Sequence, residues 1–335
     1  MIALAASGFG FAALADKPGF QAIARQFDHV AWEGAVFWDL IQPAFMFMVG
    51  VAMPFALARR MRQGATFREN LWHVTVRAFR LFLLSQILSD ISGGKLHFQL
   101  INVLSQMAFT YLFAFLIMQL SFRKQAIVAA LILAGHWALF ALFPGPGGAF
   151  SKEQNIGAVI DRAVLGFNYS GLYVTINFIT STVTTLFGVW AGMLLRTRKS
   201  DAAKLKILAA CAAASFATGL LLSPWNPLVK RLWTSSFTLY STGWVLLMLI
   251  AFYWLIEVKG YRKWAFPLVV VGMNSIFIYS LGQILRGFID RAVAVFTFRY
   301  TWIGTLAPVA QACTVLLVMW YMCYWLYQRK IFFKL

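Results

Sequence analysis

Residues 28–60 read DHVAWEGAVFWDLIQPAFMFMVGVAMPFALARR. The stretch from about 38 to 58 is almost wholly apolar, and about 20 such residues suffice to cross the hydrocarbon core of a bilayer. Its ionisable groups stand at the two ends. His29 and Asp39 precede the run, and Arg59 and Arg60 close it. Chemistry near a membrane surface needs groups placed in this way, whereas a helix that only anchors a chain does not.

Further apolar runs long enough to span occur at about 98–121, 125–143, 172–195, 207–224, 236–256, 264–285 and 304–327. Residues 71–91 form a weaker candidate, because His73, Arg77 and Arg80 lie in its first half. Long cationic side chains there can snorkel towards the interface, so the segment still reads as a span. The opening MIALAASGFGFAALA is apolar but short of a spanning length. It reads as the second half of a first transmembrane helix, truncated at its start. The expectation is an all-α, polytopic integral membrane helical bundle of about 10 transmembrane helices, forming one domain over residues 1–335. A spanning barrel would instead show about ten-residue segments of alternating polarity.

Composition agrees. The chain is 61% hydrophobic and 12% charged, with a mean hydropathy of +0.73, whereas soluble domains are about 45–50% apolar and about 25% charged. The net charge of +18 does not indicate nucleic acid, because the cations lie in short loops between apolar runs. Cys211, Cys313 and Cys323 fall inside apolar runs without CxxC spacing, which reads as small buried hydrophobes. No His, Asp or Glu cluster has metal-ligand spacing, and no metal site is expected.

Assigning each inter-helical segment to alternate sides puts 19 of the 29 Lys and Arg on one side and ten on the other. The richer side is expected to be cytoplasmic. This orientation places the C-terminus inside, with His29, Asp39, His97 and the 144–171 loop on the far side of the membrane. Trp32 and Trp38 fall where helices meet water. An aromatic belt accounts for them, and they can also wall a site.

Polar residues inside spans usually face the bundle interior. The prominent ones are Asn102 and Gln106, which share a helix face at i, i+4, then Asn177 with the hydroxyls of 180–185, then Asn274, Ser275 and Gln283. Together they suggest a polar cavity. His29 is the best general-base candidate, because imidazole titrates near neutrality. His136, alone on an apolar helix, reads as a satisfied packing residue.

These residues resemble the heparan-alpha-glucosaminide N-acetyltransferase family and its bacterial relatives. The signature is a histidine, a W-x-G step and a D-L-x-x-P-x-F-x-F-x-x-G run, here His29, Trp32, Gly34, Asp39, Leu40, Pro43, Phe45, Phe47 and Gly50. LINVLSQMAFTYLFAFLI (100–117), GLYVTINFITSTVTTLFGVWAG (171–192), NPLVKRLWTSSFTLYSTG (226–243) and GMNSIFIYSLG (272–282) resemble further family blocks in the family's order.

The resemblance implies a transmembrane acyltransferase that takes an acetyl group from cytoplasmic acetyl-coenzyme A and delivers it to a glycan amine or hydroxyl on the far side. His29 matches the family's catalytic histidine. Asp39 is expected to orient His29 or hold the acceptor, and Asn102, Gln106 and Asn274 to polarise the thioester carbonyl. Arg59, Arg60 and Arg80 suit the phosphates of the coenzyme. Membrane lipid and a glycan-type acceptor are the expected partners, with a homodimer or a membrane-complex partner left open. The alternative is a catalytically degenerate relative serving as a structural subunit of a larger membrane complex. It draws on three departures from the family pattern. The family's S-L-D-x-x-R-G is not found in the chain, Ser7 stands nearest to a family asparagine, and Ser105 or Gln106 stands near a family arginine.

Overall fold

A computed structural model describes residues 8–96 and 98–333; Ser7 and His97 lie outside the described residues. Among the described residues regular structure is helical, apart from an isolated bridge between Gly145 and Gly148. The α-helices are α1 (Gln21–Gln26), α2 (Ile41–Arg62), α3 (Phe67–Gly93), α4 (Val103–Met118), α5 (Phe122–Leu142), α6 (Ile156–Leu165) and α7 (Asn177–Leu195). They continue as α8 (Asp201–Leu222), α9 (Ser235–Tyr253), α10 (Phe266–Met273), α11 (Ser275–Ile284), α12 (Arg286–Thr297) and α13 (Ala307–Gln328).

Among the described residues six helical segments are long and apolar enough to cross a membrane, or seven if the bent pair α10–α11 is one span. This is fewer than the ten expected, and the differences have local causes. The Asn102 side chain accepts from the backbone N–H of Leu104 and Ser105, so α4 begins at residue 103 and is only 16 residues long. Helix α3 is 27 residues long, opened by a Thr66–Glu69 capping box and ended by Gly94 in the left-handed conformation, but its cations lower its apolarity. Arg77 does not snorkel outward. Its guanidinium lies 4.9 Å over the Tyr111 ring and donates to the Tyr111 hydroxyl. The run at 264–285 is two helices bent by 67° at Asn274. Residues Gly8–Leu14 form a 3-10 stretch interrupted by left-handed Phe9 and Gly10, so they do not continue a spanning helix.

Helices α2 and α7 form the centre of the bundle, and they approach closely because glycine lines the seam. A Cβ on Gly50 would fall 2.0 Å from the Thr185 carbonyl oxygen, one on Gly188 2.0 Å from that of Phe47, and one on Gly192 2.4 Å from that of Val51. Gly188 and Gly192 are thus a G-x-x-x-G pair, which lets helix backbones meet where lipid supplies no hydrophobic drive for association. Pro54 interrupts the α2 hydrogen-bond ladder, and its own carbonyl accepts from Arg196 at 2.9 Å. Around this seam Met53, Tyr111, Phe115, Leu186 and Val189 pack as one cluster, and Phe47, Leu208, Ala212 and Val245 as another. Large apolar side chains remain on the outside, among them Leu131, Leu221, Trp225, Phe288 and Phe296. So much exposed apolar surface suits a lipid solvent. Cys211 is on this exposed face and Cys323 is buried.

Candidate active site

The chain enters α2 through a 3-10 turn, Phe37–Leu40, which sets Asp39 at the head of the helix. The preceding irregular stretch is pinned at two points. Trp32 Nε1 donates to the Phe150 carbonyl at 2.8 Å. Gly34, with φ at +108°, donates its N–H to the Leu228 carbonyl at 2.8 Å. That positive φ is strained for any residue with a side chain. These ties bring His29 back over Asp39 and place both beside the 226–233 loop.

Asp39 is the hub. Its Oδ1 accepts from His29 Nδ1 at 2.7 Å and from Lys230 Nζ at 3.3 Å. Its Oδ2 accepts from the backbone N–H of Val36 at 3.3 Å and of Val30 at 3.4 Å. Lys230 Nζ also lies 3.4 Å from His29 Nδ1. The Asp39 and Lys230 side chains are 2% and 7% exposed, whereas that of His29 is 46% exposed. The buried carboxylate therefore holds one imidazole nitrogen and leaves Nε2 on the open side. Burial pulls the Lys230 ammonium down to about 8, against the attraction of Asp39. Trp38 packs on the imidazole with ring centroids 6.4 Å apart.

His29 opens into a cleft of about 690 Å³ lined also by Ala12, Ala15, Arg25, Asp28, Trp32 and Glu33. Three residues after Asp39, the buried Gln42 side chain donates to Gln106 Oε1 and accepts from the Tyr173 hydroxyl at 3.3 Å. Gln106 Nε2 donates onward to Asn177 Oδ1 at 2.9 Å and Ser181 Oγ at 3.0 Å. Burial foremost, and then the Asp39 charge, raises the Tyr173 pKa, so the phenol keeps its proton. A second, smaller cleft of about 370 Å³, at the same end of the bundle, is lined by Gln42, Ser85, Ser89, Gln99, Asn102 and Tyr279.

The other expected site residues are dispersed. Asn102 is spent on capping α4 and on Ser85 and Ser89, although it lines the smaller cleft. Gln106 belongs to the buried amide network below Asp39. Asn274 is elsewhere: its Nδ2 donates to the Ile331 carbonyl and its Oδ1 accepts from Phe333 N–H, tying the α10–α11 bend to the segment after α13. At the opposite end of α2, Arg60 and Arg80 line a cleft of about 490 Å³ with Glu69, Trp72 and His73. Arg59 is exposed and is not among the residues lining it. His136 is buried against Phe140, but neither ring nitrogen has a hydrogen-bond partner, so it is not the satisfied residue expected. Among the described residues no group of three or more His, Cys, Asp or Glu side chains could hold a metal.

Sequence reasoning missed Lys230, which it counted only as a loop cation, and it missed Gln42 and Tyr173. The signal for Lys230 was a cation directly before Arg231-Leu232-Trp233 in a short loop on the same side as His29.

Fold and site together define a polytopic helical membrane protein with a histidine–carboxylate–lysine cluster at one end of the bundle. No family model matches the chain. Over 92% of its length the chain is 24% identical to heparan-alpha-glucosaminide N-acetyltransferase of Homo sapiens, covering 56% of that protein. Over 78% of its length it is 22% identical to the Mus musculus protein of the same name, covering 50%. The chain thus spans about half the length of the curated relatives it matches. The chain is thus similar to the heparan-alpha-glucosaminide N-acetyltransferases over most of its own length.

Proposed function

We propose that the chain is a membrane acyltransferase that moves an acetyl group from acetyl-coenzyme A to a glycan amine or hydroxyl, with His29 as general base. The observation that carries this reading is the half-exposed His29, its Nδ1 held 2.7 Å from a carboxylate that is 2% exposed. A base oriented by a buried carboxylate is the arrangement that serves nucleophile activation.

The donor thioester supplies an activated acetyl carbonyl. Asp39 accepts a hydrogen bond from Nδ1–H and so fixes the tautomer in which Nε2 is free. Nε2 takes the proton of the acceptor N–H or O–H as its lone pair bonds to the carbonyl carbon. The carbon–sulfur bond breaks, and the leaving thiolate takes up a proton. Asp39 then stabilises the imidazolium until that proton is released. The chemistry of Arg60, Arg80 and Trp72 suits a phosphorylated nucleotide at the other end, through guanidinium–phosphate pairing and an aromatic face. The 22 residues of α2 separate the two ends by about 33 Å. The glycine-closed α2–α7 seam leaves no room for the donor between those two helices. The uneven Lys and Arg distribution supports an orientation with the Arg60 end in the cytoplasm and the His29 end outside it.

Purified protein in nanodiscs, given acetyl-coenzyme A and glucosamine, tests the reading. The expected result is free coenzyme A with stoichiometric N-acetylated product, reduced about 10²- to 10⁴-fold in His29→Ala. Wild-type protein that releases no coenzyme A and acetylates neither amine nor hydroxyl acceptors would remove the reading.

A further inference from the structure

Lys230 sits 191 residues from Asp39 in the chain, yet its Nζ is 3.3 Å from Asp39 Oδ1 and 3.4 Å from His29 Nδ1. Two cationic-capable groups thus share one carboxylate oxygen. Asp39 is closer to His29, so the Nδ1 proton belongs to that 2.7 Å hydrogen bond. An ammonium cannot donate to a nitrogen that already carries a proton. The Lys230–His29 approach is therefore a Coulomb contact, neutral while the imidazole is neutral and repulsive once it is protonated.

We propose that Lys230 is a positioning residue for His29: its buried ammonium holds the Asp39 carboxylate as a fixed acceptor for Nδ1–H and sets a positive charge 3.4 Å from the ring, with Nε2 open to the cleft. A carboxylate alone would pull the other way, because a lone buried anion beside histidine favours the charged ring. The pair Asp39–Lys230 supplies the orienting hydrogen bond without that net negative charge.

The remaining charged or titratable groups around His29 are few. Asp28 Oδ1 accepts from the His29 backbone N–H at 2.8 Å. Arg25 and Glu33 line the cleft with opposite charges. Arg231, next to Lys230, turns away to the Gly171 carbonyl at 2.9 Å. Tyr173 is engaged with Gln42. The loop that carries Lys230 is itself fixed. Thr234 Oγ1 accepts from Val229 N–H and donates to the Pro227 carbonyl, and Trp233 is wholly buried with Nε1 on Thr184 Oγ1. The ammonium is therefore carried on a fixed backbone, with its side chain 7% exposed.

The kinetic consequence rests on the acyl-transfer reading, but the electrostatic one does not. The test follows His29 by NMR in full-length, 15N-histidine-labelled protein in nanodiscs, with its signal assigned by its loss in His29→Gln. In wild type the neutral ring is the Nδ1–H tautomer. In Lys230→Met the ring becomes protonated at a pH higher by about one unit or more, and in Lys230→Arg it returns towards wild type. Asp39→Asn gives the opposite arm, with the cation left and the carboxylate gone, and protonation then moves to lower pH than in wild type. The signals of His73 and His136 report whether each variant is folded. If Lys230→Met does not fold, Lys230→Gln, which keeps a hydrogen-bond donor for Asp39 without the charge, decides by the same expected direction of shift. A His29 midpoint unmoved in the folded variants overturns the proposal. If the midpoint moves as stated and no acetyl transfer is found, the inference stands and the acyl-transfer reading falls. If both hold, the acid limb of kcat/KM in Lys230→Met moves to higher pH by the same amount as the NMR midpoint.

Discussion

His29 Nδ1 lies 2.7 Å from Asp39 Oδ1, and the same carboxylate accepts backbone N–H groups of Val30 and Val36 through its other oxygen. The carboxylate thus fastens the loop that carries the base to the turn that begins α2. Asp39→Asn keeps the shape but can present an amide N–H to Nδ1, which favours the wrong tautomer. We expect kcat to fall by about 10²- to 10⁴-fold with KM for the acceptor little changed. Steady-state acetylation assays check this. A loss confined to KM would instead assign Asp39 to holding the acceptor.

Lys230 gives the site a basic limb. Its ammonium is charged below about 8. As the pH rises through that value, Asp39 loses its partner, and the neutral amine becomes a rival acceptor for the Nδ1 proton. Activity should fall above about pH 8, and Lys230→Arg should move that fall to higher pH. Stability should run the other way. The folded value is below the ordinary 10.5, so the unfolded chain binds more protons between the two values, and stability rises with pH across that window. A pH–rate profile and thermal melts on the same preparation separate the two trends.

The two arginines that line the cleft at the far end of α2 should behave differently from the third. Arg60 is oriented by Asn70 Oδ1 at 2.7 Å and Arg80 faces the same space, whereas Arg59 does not line it. Arg60→Ala or Arg80→Ala should raise KM for acetyl-coenzyme A by about tenfold, as expected for loss of one charge-assisted hydrogen bond, with kcat retained. Arg59→Ala should stay within about twofold of wild type. Equal effects at all three positions would count against a site in this cleft.

The α2–α7 seam has no space for a methyl group. In Gly50→Ala the new Cβ would fall 2.0 Å from the Thr185 carbonyl oxygen, which is backbone and cannot rotate away. Overpacking of this kind costs about 1–3 kcal/mol or more. Thermal unfolding in detergent should show a lower Tm for Gly50→Ala and Gly188→Ala. Gly135→Ala, where a Cβ meets nothing within 4 Å, should leave Tm unchanged or raise it slightly.

The amino-acid sequence by itself determined the membrane class, because sustained apolar runs and loop-borne cations are local properties that the bilayer imposes on every segment. It also marked His29 and Asp39, since both flank one apolar run. Helix count was less legible: the cap at Asn102 and the bend at Asn274 involve side-chain–backbone hydrogen bonds, and Phe9 takes a left-handed backbone conformation, none of which hydropathy records. Only the tertiary structure decided the company each polar residue keeps. It took Asn274 away to the segment after α13, put Arg59 outside the cleft of Arg60 and Arg80, and brought Lys230 across 191 residues to Asp39. The physical reason is that a buried charge must find a partner wherever the fold supplies one, and sequence distance carries no information about where that is.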